Sequence, residues 1–278
     1  MKIAFIGGGN MAAALIAGLA GKLTPGANIH VVDPNPSSLD RLRQDYGVTV
    51  AAAAGEAVGE AEVLVLAVKP QVMHEVTQQL LPLLQAARAA GRSPLVLSIA
   101  AGIRAEDLSR WLGGYRAIVR TMPNTPALIG MGVTGMVASS GVSAAQREAA
   151  DQILRAVGTT VWLDDESKID AVTAVSGSGP AYVFYFIEAM QQAAEELGLT
   201  AEQGKQLAMA TFTGAAQLAA QSPDPVPVLR EKVTSKGGTT YAALTSMEGS
   251  GVKAAIISAV KAAAARGKEL GEQLGAAG

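Results

Sequence analysis

Residues 3–12 read Ile3-Ala4-Phe5-Ile6-Gly7-Gly8-Gly9-Asn10-Met11-Ala12, an apolar run that breaks into glycines and then opens a helical pattern. The form is G-x-G-x-x-A, placed directly after a strand. Gly7 permits a tight turn, Gly9 lets the backbone approach a pyrophosphate, and the small Ala12 lets helix and strand pack closely. A helix beginning there offers free N–H groups and a positive dipole end to phosphates. An acid, Asp33, ends the next apolar run 21 residues after Ala12, where a ribose ligand is wanted. The segment therefore predicts a dinucleotide site, with Gly7, Gly8, Gly9, Asn10 and Met11 around the phosphates.

The surrounding pattern agrees. Continuous apolar runs at Ile3-Ile6, Ile29-Val32, Val63-Val68, Leu95-Ile99 and Ala117-Val119 suit strands covered on both faces. Helical patterns lie between them, at Met11-Ala20, Ser37-Tyr46, Gln71-Ala90 and Ala105-Leu112. A further run at Val133-Ala138 precedes a helix around Ala144-Ala156, and Thr159-Trp162 is placed to close the sheet. This alternation predicts an α/β fold, a Rossmann-type doubly wound parallel sheet. After Asp164 strand signals vanish, and helical stretches follow at Lys168-Val175, Ala181-Leu197, Ala201-Ala220 and Val252-Leu270. Three prolines between Pro223 and Pro227 break the helix before them. Two domains are expected: residues 1–163 binding dinucleotide, and an all-helical 164–278 for dimerisation and substrate.

Composition removes other classes. Of 278 residues, 49% are hydrophobic and 17% charged, which excludes a disordered chain. With 53 alanines and a mean hydropathy of +0.27, some apolar surface is expected to be buried between subunits. A net charge of −2 gives no reason to expect nucleic acid or an anionic membrane as partner. The absence of cysteine removes disulfides, thiolate nucleophiles and zinc-thiolate sites, and two isolated histidines, His30 and His74, exclude a His-rich metal site. Lys2 precedes an apolar stretch, but Gly7-Gly8-Gly9-Asn10 would break a signal helix or a membrane span there. A cytoplasmic location is expected.

Other segments suit a ligand crevice. Ala67-Val68-Lys69-Pro70 and Ser98-Ile99-Ala100-Ala101-Gly102 follow strands, with small residues that leave room for a flat ring and ribose, although ordinary turns would look alike. Asp33 favours a free ribose 2′-hydroxyl, and so NADH, because a carboxylate repels a 2′-phosphate; read blandly, it caps the following turn. In the helical half, Ser176-Gly177-Ser178-Gly179-Pro180-Ala181-Tyr182 enters a long helix with Pro180 in its first turn. Val233-Thr234-Ser235-Lys236-Gly237-Gly238-Thr239-Thr240 exposes donors that suit a carboxylate.

Together with Met122-Pro123-Asn124-Thr125-Pro126, these segments stand in the order found in pyrroline-5-carboxylate reductases, which the chain resembles over essentially its whole length. The resemblance implies NADPH or NADH as cofactor, with nicotinamide near Ala100 and Ala101. Adenosine ribose and phosphate would lie near Asp33, Pro34 and Asn35, with Ala67, Val68, Lys69 and Pro70 also on the cofactor. It implies a substrate carboxylate held by Ser235, Gly237, Gly238, Thr239 and Thr240, with the Thr240 hydroxyl near the imine nitrogen as the catalytic group. Homodimers through the long helices, able to assemble into rings such as decamers, are implied as well. Many relatives carry Ser or Thr at position 33, Asn at position 54 and Pro at position 236, where this chain has Asp33, Ala54 and Lys236. With Asp33 set against the family habit, dual cofactor use is expected, Asn35, Ser37 and Ser38 supplying donors for a 2′-phosphate. Two other readings are a β-hydroxyacid dehydrogenase-like reductase using Lys168 or Lys205 as acid/base, and a non-catalytic dinucleotide sensor.

Overall fold

The computed structural model describes residues 1–276. Eight strands form one sheet: β1 (Ile3–Ile6), β2 (Ile29–Val32), β3 (Thr49–Ala51), β4 (Val63–Leu66), β5 (Leu95–Ser98), β6 (Ile118–Met122), β7 (Gly132–Ala138) and β8 (Gly158–Trp162). Their order is β3-β2-β1-β4-β5-β6-β7-β8, and every pair is parallel except β6 with β7. Between them run α1 (Asn10–Leu19), α2 (Pro36–Tyr46), α3 (Glu56–Gly59), α4 (Met73–Ala89), α5 (Ala105–Trp111), α6 (Ala144–Arg155) and, after β8, α7 (Ile169–Val172). Both faces of the central strands are covered, which is why those strands read as unbroken apolar runs. Ile3 and Phe5 join Leu15, Ile16 and Leu19 of α1 and Ile153 of α6 in one layer. Ala4 and Ile6 join Met73 and Leu80 of α4 and Leu108 and Trp111 of α5 in the other.

The chain divides into two compact units, Met1–Ser178 with the stretch from Ala263 on, and Gly179–Ala262. This division differs from the expected boundary at 163, for two physical reasons. Beyond β8, Ile169 is 1% exposed and Val172 packs so tightly that a Cβ on Gly135 would lie 2.6 Å from its Cγ1. From the far end of the chain, Leu274 packs against the second apolar layer, and Arg110 donates to the Gly275 carbonyl at 2.6 Å. Of the expected segment 164–278, positions 277 and 278 lie outside the described residues.

The second unit holds α8 (Gly179–Glu196), α9 (Ala201–Gln221), α10 (Val226–Lys232), α11 (Thr239–Gly249) and the first part of α12 (Val252–Ala276). It has scarcely any core. Ile187, Gly204 and Ala208 are its buried helical residues, while Tyr185 is 72% and Leu197 85% exposed. Among the described residues no helix is long and apolar enough to cross a membrane.

Candidate active site

The sheet reverses direction of winding between β1 and β4, so their carboxyl ends frame the crevice where open α/β sheets bind ligands. Gly7 sits at that point. Its N–H donates to the Val32 carbonyl at 2.8 Å, while Ala67 N–H donates to the Ile6 carbonyl at 2.8 Å. With φ of +103°, and an added Cβ only 2.5 Å from the Ala67 oxygen, this position is closed to other residues. Gly9 differs: it caps α1 at φ −70°, is exposed, and nothing would lie within 4 Å of a Cβ there. Ala13 N–H makes the first helical bond, to the Gly9 carbonyl, leaving the N–H groups of Asn10, Met11 and Ala12 without helical partners.

Asp33 follows β2 and ties the crevice together. Its Oδ2 accepts from Gly8 N–H at 2.7 Å and its Oδ1 from Asn35 N–H at 2.8 Å. The turn-capping role is thus real, and it leaves the carboxylate beside the glycine turn. Asn35 caps α2, its Oδ1 accepting from Ser37 N–H at 3.1 Å and Ser37 Oγ at 2.8 Å, while Ser38 Oγ donates to the Gly8 carbonyl at 2.9 Å. Next to this turn opens a cavity of about 370 Å³ lined by Ile6, Val32, Pro34, Ala54, Val68 and Val76, apolar enough for a purine. Val68 and Pro70 are half-buried and Lys69 exposed, on the turn after β4.

After β5, Ala101 is exposed, but Ala100 is 5% exposed and packs in the second apolar layer. Only backbone or Ala101 can therefore meet a ring there without rearrangement. Sequence reasoning gave no role to Asn124, although the segment holding it stood out. The structure gives one: Asn124 is 8% exposed, accepts from Val133 N–H at 2.9 Å and donates to the Ser176 carbonyl at 3.1 Å. Ser176 belongs to a π-helical turn, Thr173–Gly177, that continues from α7, so the single helix expected over 168–175 is broken.

In the second unit, Ser235, Lys236 and Gly237 form a turn closed by Gly238 N–H on the Ser235 carbonyl at 3.0 Å, with Gly237 at φ +74°. Gly238 caps α11 without a side chain, and the first helical bond is Ala242 N–H to the Gly238 carbonyl. The N–H groups of Thr239, Thr240 and Tyr241 are left without helical partners, a donor set that suits an anion, with Thr240 half-buried and Ser235 and Thr239 exposed. Of the two lysines considered as acid/base candidates, Lys168 fits that task poorly. Lys168 lies 2.5 Å from Asp164, whose hydrogen bond pushes the ammonium pKa up, away from proton exchange near neutrality.

A doubly wound sheet with a glycine turn at its switch point, an acid after β2 and a small-residue cradle defines a dinucleotide-dependent oxidoreductase of Rossmann type. Residues 2–102 match the family model described as NADP oxidoreductase coenzyme F420-dependent, and residues 166–270 that described as pyrroline-5-carboxylate reductase dimerisation. The chain is 48% identical to the pyrroline-5-carboxylate reductase of Pseudomonas aeruginosa, covering 99% of this chain and 98% of that one. It is 41% identical to the Haemophilus influenzae reductase, over 96% and 97% of the two chains. The solved pyrroline-5-carboxylate reductase of Coxiella burnetii superposes with a TM-score of 0.90 at 39% identity, over 97% and 98%. That of Plasmodium falciparum, with NADP bound, gives 0.84 at 29% identity, over 98% of each chain. The chain belongs to the pyrroline-5-carboxylate reductase family.

Proposed function

We propose that the chain reduces L-1-pyrroline-5-carboxylate to L-proline with NADH or NADPH, the last step of proline biosynthesis. What carries this reading is similarity to reductases of that name along nearly the whole chain, through both the cofactor turn and the helical part. The ring C=N gains a hydride at carbon and keeps a proton on nitrogen. Bound reduced dinucleotide supplies that hydride. The backbone of Gly7–Met11 holds the pyrophosphate, Asp33, Pro34 and Asn35 meet the adenosine ribose, and Ala67–Pro70 flank the cofactor. The segment at Ala100 and Ala101 seats the nicotinamide. Ser235, Gly237, Gly238, Thr239 and Thr240 take the substrate carboxylate, and the Thr240 hydroxyl hydrogen-bonds the imine nitrogen.

A protonated imine is already electrophilic, so the protein's work is placement, worth up to about 7–11 kcal/mol of barrier when two reactants are well oriented. This suits a site built without His, Cys or paired carboxylates. Thr240, a very weak acid, orients the nitrogen rather than protonating it. The exposed apolar side chains of the helical unit, Tyr185 and Leu197 among them, are covered by a second copy in a homodimer. We place the enzyme in the cytoplasm, where reduced dinucleotide is regenerated. The test is absorbance at 340 nm with pyrroline-5-carboxylate and each cofactor, beside a β-hydroxyacid control. Oxidation of cofactor is expected with the imine alone, and no change with either cofactor would reject the assignment.

A further inference from the structure

We propose that Leu274, near the carboxyl end of α12, is a positioning residue for the reduction, acting through Gly102 to hold the segment 100–104 in place. The inference rests on the reading that seats the nicotinamide at Ala100 and Ala101. That segment depends on outside support. Ile99 N–H donates to the Leu66 carbonyl at 3.1 Å, and the next ordered backbone bond is Leu108 N–H to the Arg104 carbonyl. Among the described residues, no N–H of residues 100–104 donates to a backbone carbonyl with good geometry. Ala100 N–H reaches Ser98 Oγ at 3.4 Å, a weak bond.

Two elements supply what the backbone lacks. At the far end of the segment, Ala105 N–H donates to Glu166 Oε1 at 2.7 Å, and the same oxygen accepts from the buried Arg120 Nη1 at 2.8 Å. In the middle the support is α12. Leu274 lies over Gly102, where an added Cβ would meet its Cδ1 at 3.1 Å. Gly271 brings helix backbone close as well, since a Cβ there would lie 3.3 Å from the Gly102 carbonyl oxygen. The last turn of α12 is itself tied to α5. Arg110 Nη2 donates to the Gly275 carbonyl at 2.6 Å and pairs with Asp107 at 3.1 Å, and Gly275 packs on that carboxylate with no room for a Cβ. Leu274 is thus anchored, and the segment it presses on is not. Hydride transfer is sensitive to such support, because a misplacement of about 1 Å caused far from the chemistry costs on the order of 100-fold in rate.

The test compares Leu274→Ala, Leu274→Met and Gly271→Ala in the full chain. The readouts are kinetics with NADH and 4-deuterated NADH, NADH titration, and hydrogen exchange over residues 100–105. Leu274→Ala should lower kcat by about tenfold, with KM and NADH affinity within about twofold of wild type. Its deuterium effect on kcat should stay at or above the wild-type value, and exchange over 100–105 should quicken ahead of the rest of the unit. Leu274→Met, of similar volume, should restore most of kcat. Gly271→Ala favours the helix but crowds the Gly102 carbonyl, so kcat should fall about threefold or more while exchange along α12 is unchanged. A wild-type kcat in Leu274→Ala, or faster exchange spread evenly over the first unit, would overturn the proposal. Should Leu274→Ala not fold, a wild-type kcat in Gly271→Ala would overturn it. A wild type that oxidises no cofactor with the imine would instead overturn the reading beneath, and exchange over 100–105 would still decide whether Leu274 holds the segment.

Discussion

Gly7 and Gly9, two residues apart in the same turn, should fail in opposite ways when each is given one methyl group. At Gly7 the methyl meets the Ala67 carbonyl oxygen at 2.5 Å, and φ is +103°. Relief needs a shift of roughly 1 Å at the end of β4. The backbone conformation costs about 1–2 kcal/mol for an L-residue, and overpacking adds about 1–3 kcal/mol. Gly7→Ala should thus lose about 2–5 kcal/mol, a fall in Tm of roughly 4–20 °C for a unit of this size. At Gly9 the methyl meets nothing within 4 Å and φ is −70°. The loss there is limited to a poorer helix cap, about 0.5–1 kcal/mol. The same methyl stands where a pyrophosphate must approach, so NADH affinity should fall by about 10–100-fold, or roughly 1.4–2.7 kcal/mol. Thermal melting at fixed protomer concentration, paired with NADH titration by fluorescence, reads both quantities. Gly9→Ala binding NADH like wild type would refute the seat assigned to the phosphates, and Gly7→Ala melting like wild type would refute the packing argument.

Three more outcomes are expected. Thr240→Ala should lower kcat/KM by about 10–100-fold, one hydrogen bond to a charged group, while Thr240→Ser keeps most of the activity; equal loss in both would put the hydroxyl's role in error. Light scattering at micromolar concentration should give at least a dimer, because the helical unit has so little core of its own; a monomeric mass contradicts that. Asp107 gives a pH signature. Burial pushes its carboxyl above the ordinary range, against the pull of Arg110 and Arg104, and its Oδ2 has no hydrogen-bond partner among the described residues. A carboxyl raised on folding holds its proton more tightly when folded. Its contribution to stability is complete below the unfolded value, about 3.9, and is lost as pH climbs through the folded one. Asp107→Asn, uncharged throughout, should therefore match wild type near pH 4 and melt higher at pH 7 to 8. A wild type that gains on the variant as pH rises would show the Arg110 pair outweighing burial.

Legibility followed locality. Strands β1, β2, β4 and β5 lie in the middle of the sheet, and their apolar runs carried the fold in the sequence with ends right to within two residues. The edge strand β3, three residues long and part-exposed, has no such run and was not expected, nor was α3, a single turn after the alanines at 51–54. Proline masked α10: Pro223, Pro225 and Pro227 signal a break, yet Pro227 lies in the first turn of that helix, where a missing N–H costs nothing. The reversal of β7 against β6 depends on a short link through Thr125–Ile129 and left no mark on periodicity. At the candidate site, the glycine turn is legible because its residues are adjacent in the chain, whereas the bond from Gly8 N–H to Asp33, 25 residues away, is not. Ser38, Ala100 and Asn124 could not be read, since their parts are set by partners 30 residues away, by a packed layer and by 52 residues respectively.

The stretch from Ala263 on belongs to a unit whose other residues end at Ser178, and that order of assembly has a cost in time. At a synthesis rate of about 5–20 residues per second, Leu274 leaves the ribosome roughly 5–19 s after Ser178. For those seconds the layer around Leu108 and Trp111 lacks the side chain that seals it, and Arg110 lacks the Gly275 carbonyl. Every nascent chain therefore passes through a stage in which a nearly finished nucleotide-binding unit shows an open apolar seat. Premature termination anywhere in the helical part leaves it in that stage for good. Translation pauses after Ser178 lengthen the exposure, and chaperone demand should rise with them.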